Sequence, residues 1–388
     1  MENLLPYLEP LNIEPPAYYP IAPKASFCNN ITLYTEEGEL FPIERFKVAI
    51  IGVPEGRYCP LPGCMKGPDS IRKELYKLAK IPGKMKIVDL GNMKRGDTYN
   101  DTLAGLSDIL VYLLEKGVFP IILGGSSALT HAIDKAMIRL KRKYVLATID
   151  SRIDYIGDKD AADSLNYLYS IINGPKSSLA HFINIGYQTH LNDQQVINRL
   201  NRKHAELVRI GEARQSIHLT EPLIRDSDVI VFDMSSVRQS DAPGTTSPSS
   251  NGFYGEEICL LGRYAGISDS LSVFGMFDVN PDVDIRNQTS GLAAQVIWFF
   301  LEGFTQKQYE TNHLSDESSG RFTRYHIRLD DLDEDMVFVK SNMTERWWME
   351  FVDEKTGEKR YIACSHEDYL KANANEIPER WLLGVSKN

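Results

Sequence analysis

The chain has 388 residues, 43% of them apolar and 25% charged, and a formal net charge of −10 at pH 7. That length suits one large domain with an appendage, and the apolar share is enough for a full core. A moderately acidic chain with no basic stripe argues against nucleic acid or an anionic membrane surface as partners.

The opening M-E-N-L-L-P-Y-L-E-P lacks a basic segment followed by an apolar one, and no window reaches the roughly 18 apolar residues of a membrane span. A cytoplasmic protein is expected, with no membrane contact. The five cysteines, Cys28, Cys59, Cys64, Cys259 and Cys364, are scattered and odd in number, which fits reduced thiols. Cys59 and Cys64 form the one close pair, too poor in neighbouring ligands for zinc, and are expected to be structural.

Residues 1–46 are rich in Pro, Asn and Glu with no sustained period, an irregular arm with one hairpin near Glu36-Glu37-Gly38. Residues 47–54, K-V-A-I-I-G-V-P, form a β-branched run closed by Gly and Pro and are expected to be a buried first strand. A helix follows at residues 67–76, with Pro68 near its first turn and Ile71, Leu75 and Leu78 at helical spacing. The alternation continues with strands at 86–90, 120–123 and 143–149 and helices at 102–116 and 128–141. Further strands are expected at 181–185, 228–232 and 272–279, and a helix at 290–304. Strands alternating with helices of this length imply a parallel sheet covered on both faces.

Residues 305–321 shift to Gln, Asn, Ser, Asp and Glu and are expected to be a linker. Beyond it, residues 325–329, 336–340 and 346–352 have strand character, residues 353–359 suit a hairpin turn, and Ser365 opens a capped helix. Residues 322–388 therefore form a small β-rich module with Trp347, Trp348 and Phe351 as its core. An exposed aromatic pair there would instead mark a partner site.

The stretch Ala147–Tyr155, A-T-I-D-S-R-I-D-Y, carries the chemistry-bearing pattern. Asp150 and Asp154 bracket Arg152 just past a predicted strand, where open α/β sheets place their sites. Taken singly, each acid suits a cap or a solvated position, and Arg152 flanked by acids is expected to be paired. Ser126 and Ser127 follow two glycines and suit an N-cap or a small-anion turn. His131 falls on the following helix and is expected to pack there. Neither a phosphate loop nor a nucleophile elbow is present.

Five ordered segments resemble the arginase, agmatinase and formimidoylglutamase family of ureohydrolases. They are Gly52-Val-Pro54 with Gly67-Pro-Asp-Ser-Ile-Arg72, Leu123-Gly-Gly-Ser-Ser-Ala-Leu-Thr130, Ile149-Asp-Ser-Arg-Ile-Asp154, Val231-Phe-Asp-Met-Ser235 and Phe277-Asp-Val-Asn-Pro281. The runs Val237–Gly244 and Asn251–Glu257 look most like formimidoylglutamase-type members. The resemblance covers residues 46–304 and implies a three-layer α/β/α domain at 47–304.

It also implies two manganese ions, held by two histidines and four aspartates, that share a hydroxide attacking an amidine carbon. Position by position, Asp150, Asp154 and Asp233 stand where three of those ligands belong. Ser127 and Arg152 occupy the two histidine positions, and Ser235 replaces the last aspartate. Asp278 takes the place of a glutamate that holds the substrate's cationic end, or simply caps its strand. Arg152, which cannot deprotonate, would supply the missing metal's charge and relieve repulsion among the aspartates through ion pairs.

The expectation is a non-catalytic or impaired member with no bound metal. It would act as a scaffold for a small amidine- or guanidine-like ligand in contact with Asp278 and Ser127, or for a protein partner through the C-terminal module. The alternative is a C–N hydrolase of formimidoylglutamate or a related amidine, running on Mn²⁺ bound by Asp150, Asp154 and Asp233. The family's habit implies a homo-oligomer.

Overall fold

The computed structural model describes residues 2–12, 21–36, 41–156, 164–316, 318, 320–330, 335–353 and 356–386. The central sheet has eight parallel strands: β3 (Val48–Val53), β4 (Ile87–Met93), β5 (Phe119–Gly124), β6 (Tyr144–Ile149), β7 (Leu179–Tyr187), β8 (Glu206–Arg209), β9 (Val229–Asp233) and β10 (Val273–Phe277). Two short strands from the arm, β1 (Leu8–Glu9) and β2 (Thr32–Leu33), both pair with β4, the first antiparallel and the second parallel. The strand order is β1-β4-β3-β5-β10-β9-β6-β7-β8.

The arm is thus part of the sheet, with Leu4, Leu8, Phe27 and Ile43 buried. The proposed hairpin near Glu36 runs into residues 37–40, outside the described set.

Strand residues alternate between two cores, as the period of two requires. In β3, Ala49, Ile51 and Val53 face one cluster while Val48 and Ile50 face the other. Helices α2 (Tyr99–Glu115), α3 (Thr130–Arg139), α4 (Tyr167–Asn173) and α5 (Gln194–Arg202) cover the first face. On the second lie α1 (Gly67–Leu75), α6 (Ile210–Gln215), α7 (Glu221–Arg225), α8 (Gly255–Ile267) and α9 (Gln288–Phe304). The result is three layers, α/β/α.

One buried charge network ties α1 to β4. Arg72 is fully buried and grips Asp89 through Nε at 2.9 Å and Nη2 at 3.1 Å, while donating to Gly91 O at 2.7 Å. The Tyr76 hydroxyl donates to the same carboxylate at 2.9 Å. The Arg72 of the Gly67-Pro-Asp-Ser-Ile-Arg72 segment is therefore structural, fixing α1 to β4.

The C-terminal module is a four-stranded antiparallel sheet of β11 (Phe322–Ile327), β12 (Met336–Ser341), β13 (Trp347–Val352) and β14 (Lys359–Cys364), with α10 (His366–Asn373) and α11 (Glu379–Ser386). Ser365 opens α10 in a reciprocal capping box with Asp368, as its sequence predicts. Residues 354–355 of the turn between β13 and β14 lie outside the described set, but Val352 pairs with Lys359 across it.

Trp347, Trp348 and Phe351 are all buried. Trp347 stacks on Tyr369 at 4.8 Å, and Trp348 lies 4.4 Å from the Arg225 guanidinium of α7. The module is docked on the main domain through charged groups as well. Arg380 donates to Glu206 at 2.7 Å, to Asp226 at 2.5 Å and to Ala363 O at 2.7 Å.

Candidate functional site

The acids sit where the strand order reverses, at the carboxyl ends of neighbouring strands β10, β9 and β6. Asp233 closes β9 opposite Phe277, Asp278 follows β10, and Asp150 follows β6. Adjacent strands lie about 4.8 Å apart, so consecutive strand ends bring carboxylates together without any long side chain reaching. β5 ends in Gly124 and Gly125, which bring the Ser126–Ser127 turn to the same edge. A Cβ on Gly124 would meet the Phe277 ring at 2.2 Å, and one on Gly125 would meet Glu55 O at 1.9 Å, so close backbone approach requires glycine at both.

Ser126, Ser127, Asp150, Arg152, Asp154, Asp233, Ser235 and Asp278 all line one cleft, so the residues that the resemblance sets at the site are brought together. Cys59, Pro60, Leu165, Thr246 and Ser247 complete its wall. The cleft opens to solvent and has a free volume of about 30 Å³, on the order of two water molecules. Larger hollows lie between the C-terminal module and β8, and beside α8 and α9, but neither gathers the strand-end acids.

Two of the carboxylates are held by their own backbone turns. Asp150 Oδ1 accepts from the Arg152 amide at 2.9 Å, and Asp233 Oδ1 from the Ser235 amide at 2.9 Å, the same local pattern two residues on. Asp278 accepts from the Thr246 amide at 3.1 Å and from its hydroxyl. The Asp278 backbone is in the left-handed region, φ 59°, a conformation disfavoured for a non-glycine residue and held here by an amide bond to Gly125 O at 2.9 Å.

Burial pushes the Asp150 carboxyl well above its usual range, with the charges of Asp233 and Asp154 adding to it. Asp278 is raised in the same way by burial and Asp233. Asp233 is raised less: burial lifts it, while hydrogen bonds from Ser235 and Ser127 and the charge of Arg152 work against that.

Arg152 acts at a distance on Asp233. Among the described residues no ion pair joins it to Asp150 or Asp233, and its Nε is buried without a hydrogen-bond partner. The expected ion-pair network is therefore absent at those two acids. Asp150 instead accepts from the backbone amide of Arg152.

The donor set does not fit a six-ligand, two-metal centre. Imidazole is missing from the lining, a fixed cation stands among the acids, and among the described residues no three His, Cys, Asp or Glu form a group able to hold a metal ion. His131 lies on α3 and bonds Ser170, with its imidazole held down to about 4 by burial and by Lys135.

Sequence reasoning missed Thr246 and Cys59. Thr246 falls between two segments that carry the resemblance, and its role shows only once that loop folds over Asp278. Cys59 gave the signal of a close cysteine pair.

An arginase family model matches residues 46–302. A formimidoylglutamase of Staphylococcus haemolyticus is 23% identical over 249 residues, covering 62% of this chain and 79% of that relative. Among solved structures, a Trypanosoma cruzi formiminoglutamase with Mn²⁺ superposes with a TM-score of 0.64 at 20% identity, covering 69% of this chain and 97% of that one. The Bacillus subtilis formimidoylglutamase gives a TM-score of 0.65 at 18% identity, covering 76% and 97%. The C-terminal module lies outside the matched family region.

Proposed function

The chain belongs to the arginase family, and from that premise we propose that its strand-end cleft binds a small amidine- or guanidine-like cation without running efficient two-metal hydrolysis. The observation that carries this reading is the composition of the cleft. Asp150, Asp154, Asp233 and Asp278 share it with the fixed charge of Arg152 and the hydroxyls of Ser127 and Ser235, at positions the family resemblance assigns to metal ligands.

Carboxylates of this kind recognise a planar amidinium through charge-assisted paired hydrogen bonds. Asp278, anchored by Thr246, and Ser127, beside it in the cleft lining, would orient it. Burial raises the carboxyls of Asp150 and Asp278 well above their usual range. An entering cation stabilises their ionised forms, so binding releases protons and tightens as pH rises.

A second reading, a metal-dependent C–N hydrolase, is favoured by the presence of Asp150, Asp154 and Asp233 in one cleft and by the formimidoylglutamase relatives. One experiment separates the two. The purified chain is titrated calorimetrically with agmatine, arginine and formimidoylglutamate at several pH values, and formamide and urea release is assayed with added Mn²⁺. Binding that strengthens with pH, without turnover, supports the proposal. Multiple turnovers of any amidine with Mn²⁺ would replace it with the hydrolase reading.

A further inference from the structure

Cys59 and Cys64 are both reduced, with their sulfurs 3.2 Å apart and Cys64 donating to Cys59. The next link is position. Cys59 and Pro60 line the cleft, and Cys64 is fully buried behind them. The loop between is pressed onto the segment that carries Asp278: a Cβ on Gly63 would come within 2.2 Å of Asn280 Oδ1 and 2.7 Å of Asp282 Oδ2. Lys66 pairs with Asp282 at 2.6 Å, just after it. Pro60 and Pro62 fix φ on either side of Leu61, so the two cysteines are held near each other by the backbone rather than meeting by chance.

We propose that Cys59 and Cys64 form a reversible disulfide that resets the rim of the cleft, with a small-molecule disulfide as the oxidant. The two sulfurs have different parts. Cys59 lines the cleft and is partly exposed, whereas Cys64 is fully buried, so Cys59 is the sulfur a small oxidant reaches, and it attacks first. It displaces one thiol from the oxidant and is left as a mixed disulfide. Cys64, already in contact, then attacks the Cys59 sulfur and displaces the second thiol. Two protein thiols and one R–S–S–R become one protein disulfide and two R–SH, so both protons and both electrons are placed.

Bond formation shortens the separation from 3.2 Å to about 2.05 Å. A shift of that size in a loop packed on Asn280 and Asp282 changes the opening beside Asp278. The proposal is independent of which ligand the cleft takes, because its primary readout is chemical.

The full chain is treated with oxidised glutathione, its remaining thiols are alkylated in denaturant, and it is cleaved after Lys and Arg. Both cysteines fall in one peptide, residues 58–66. The expected result is that this peptide appears unalkylated and lighter by two hydrogens, reverting with reductant, while Cys28, Cys259 and Cys364 remain alkylated. Cys64→Ser should keep a glutathione adduct on Cys59, and Cys59→Ser should form none on Cys64. Alkylation of both cysteines after oxidation, or a persistent adduct on Cys59 in the native chain, would overturn the disulfide. Hydrogen exchange at residues 57–67 and 278–284 should differ between the two redox forms; identical exchange would overturn its action on the rim.

Discussion

Replacing Asp89 with alanine leaves the Arg72 guanidinium buried without its main counter-charge. Arg72 and Asp89 are both inaccessible to solvent, joined by two hydrogen bonds at 2.9 and 3.1 Å. Arginine cannot shed its proton to escape, so the full cost of an uncompensated charge falls on the native state. Breaking such a pair from one side costs about 3–5 kcal/mol. Arg72 keeps Gly91 O and Asn92 Oδ1 as acceptors and the half-exposed Asp69 at 3.2 Å, which places the expected loss near the lower end, about 3 kcal/mol. Urea unfolding followed by circular dichroism measures it. The double variant Arg72→Met/Asp89→Leu should recover a large part of the loss, because removing both charges leaves neither unpaired. A loss below about 1 kcal/mol for Asp89→Ala, or no recovery in the double variant, would refute the reasoning.

Arg380→Met removes the contacts from α11 to Glu206, Asp226 and Ala363. Limited proteolysis should then release the C-terminal module earlier than in the native chain, with a stability loss of about 2–4 kcal/mol. His131 is held neutral down to about 4 in the folded chain, against about 6.5 when unfolded. The unfolded state therefore binds more protons between those values, and stability rises with pH across that window. His131→Gln should flatten the rise by about 1–2 kcal/mol, once partial exposure to solvent is allowed for; an unchanged slope between pH 4 and 6.5 would contradict it.

The parallel sheet was legible because its inner strands are continuous apolar runs, buried on both faces. Those runs give β3, β5, β6, β9 and β10 almost at their observed bounds. The same logic hid other elements. β1 and β2 are two residues each and gain order only by pairing with β4. β8 is a short edge strand with polar ends, and α5 exposes most of its length, with only Val196, Ile197 and Leu200 buried. α8 was missed although its N-terminal residues had been singled out for another reason, namely their place in the resemblance.

At the site, strand-end position singled out Asp150 and Asp154, and the family resemblance added Asp233 and Asp278, which the sheet topology brings to the same edge. The approach of Cys59 and Thr246 does not. It depends on two loops far apart in sequence meeting over Asp278, which no local pattern encodes. Charge pattern also misled at Arg152. Acids two residues away on either side suggested direct pairing, whereas Asp150 bonds the Arg152 amide rather than its guanidinium.

On the proposed reading, Ser127, Arg152 and Ser235 stand at metal-ligand positions and lack the donors for two metals. Changing Ser127 and Arg152 to histidine and Ser235 to aspartate should raise Mn²⁺ affinity, because it supplies three donors and removes the competing cation. The most direct test is the metal content of the unaltered chain after Mn²⁺ loading and gel filtration, read by elemental analysis. The account predicts fewer than two retained ions per chain and no turnover of formimidoylglutamate. Two tightly held ions per chain would contradict it.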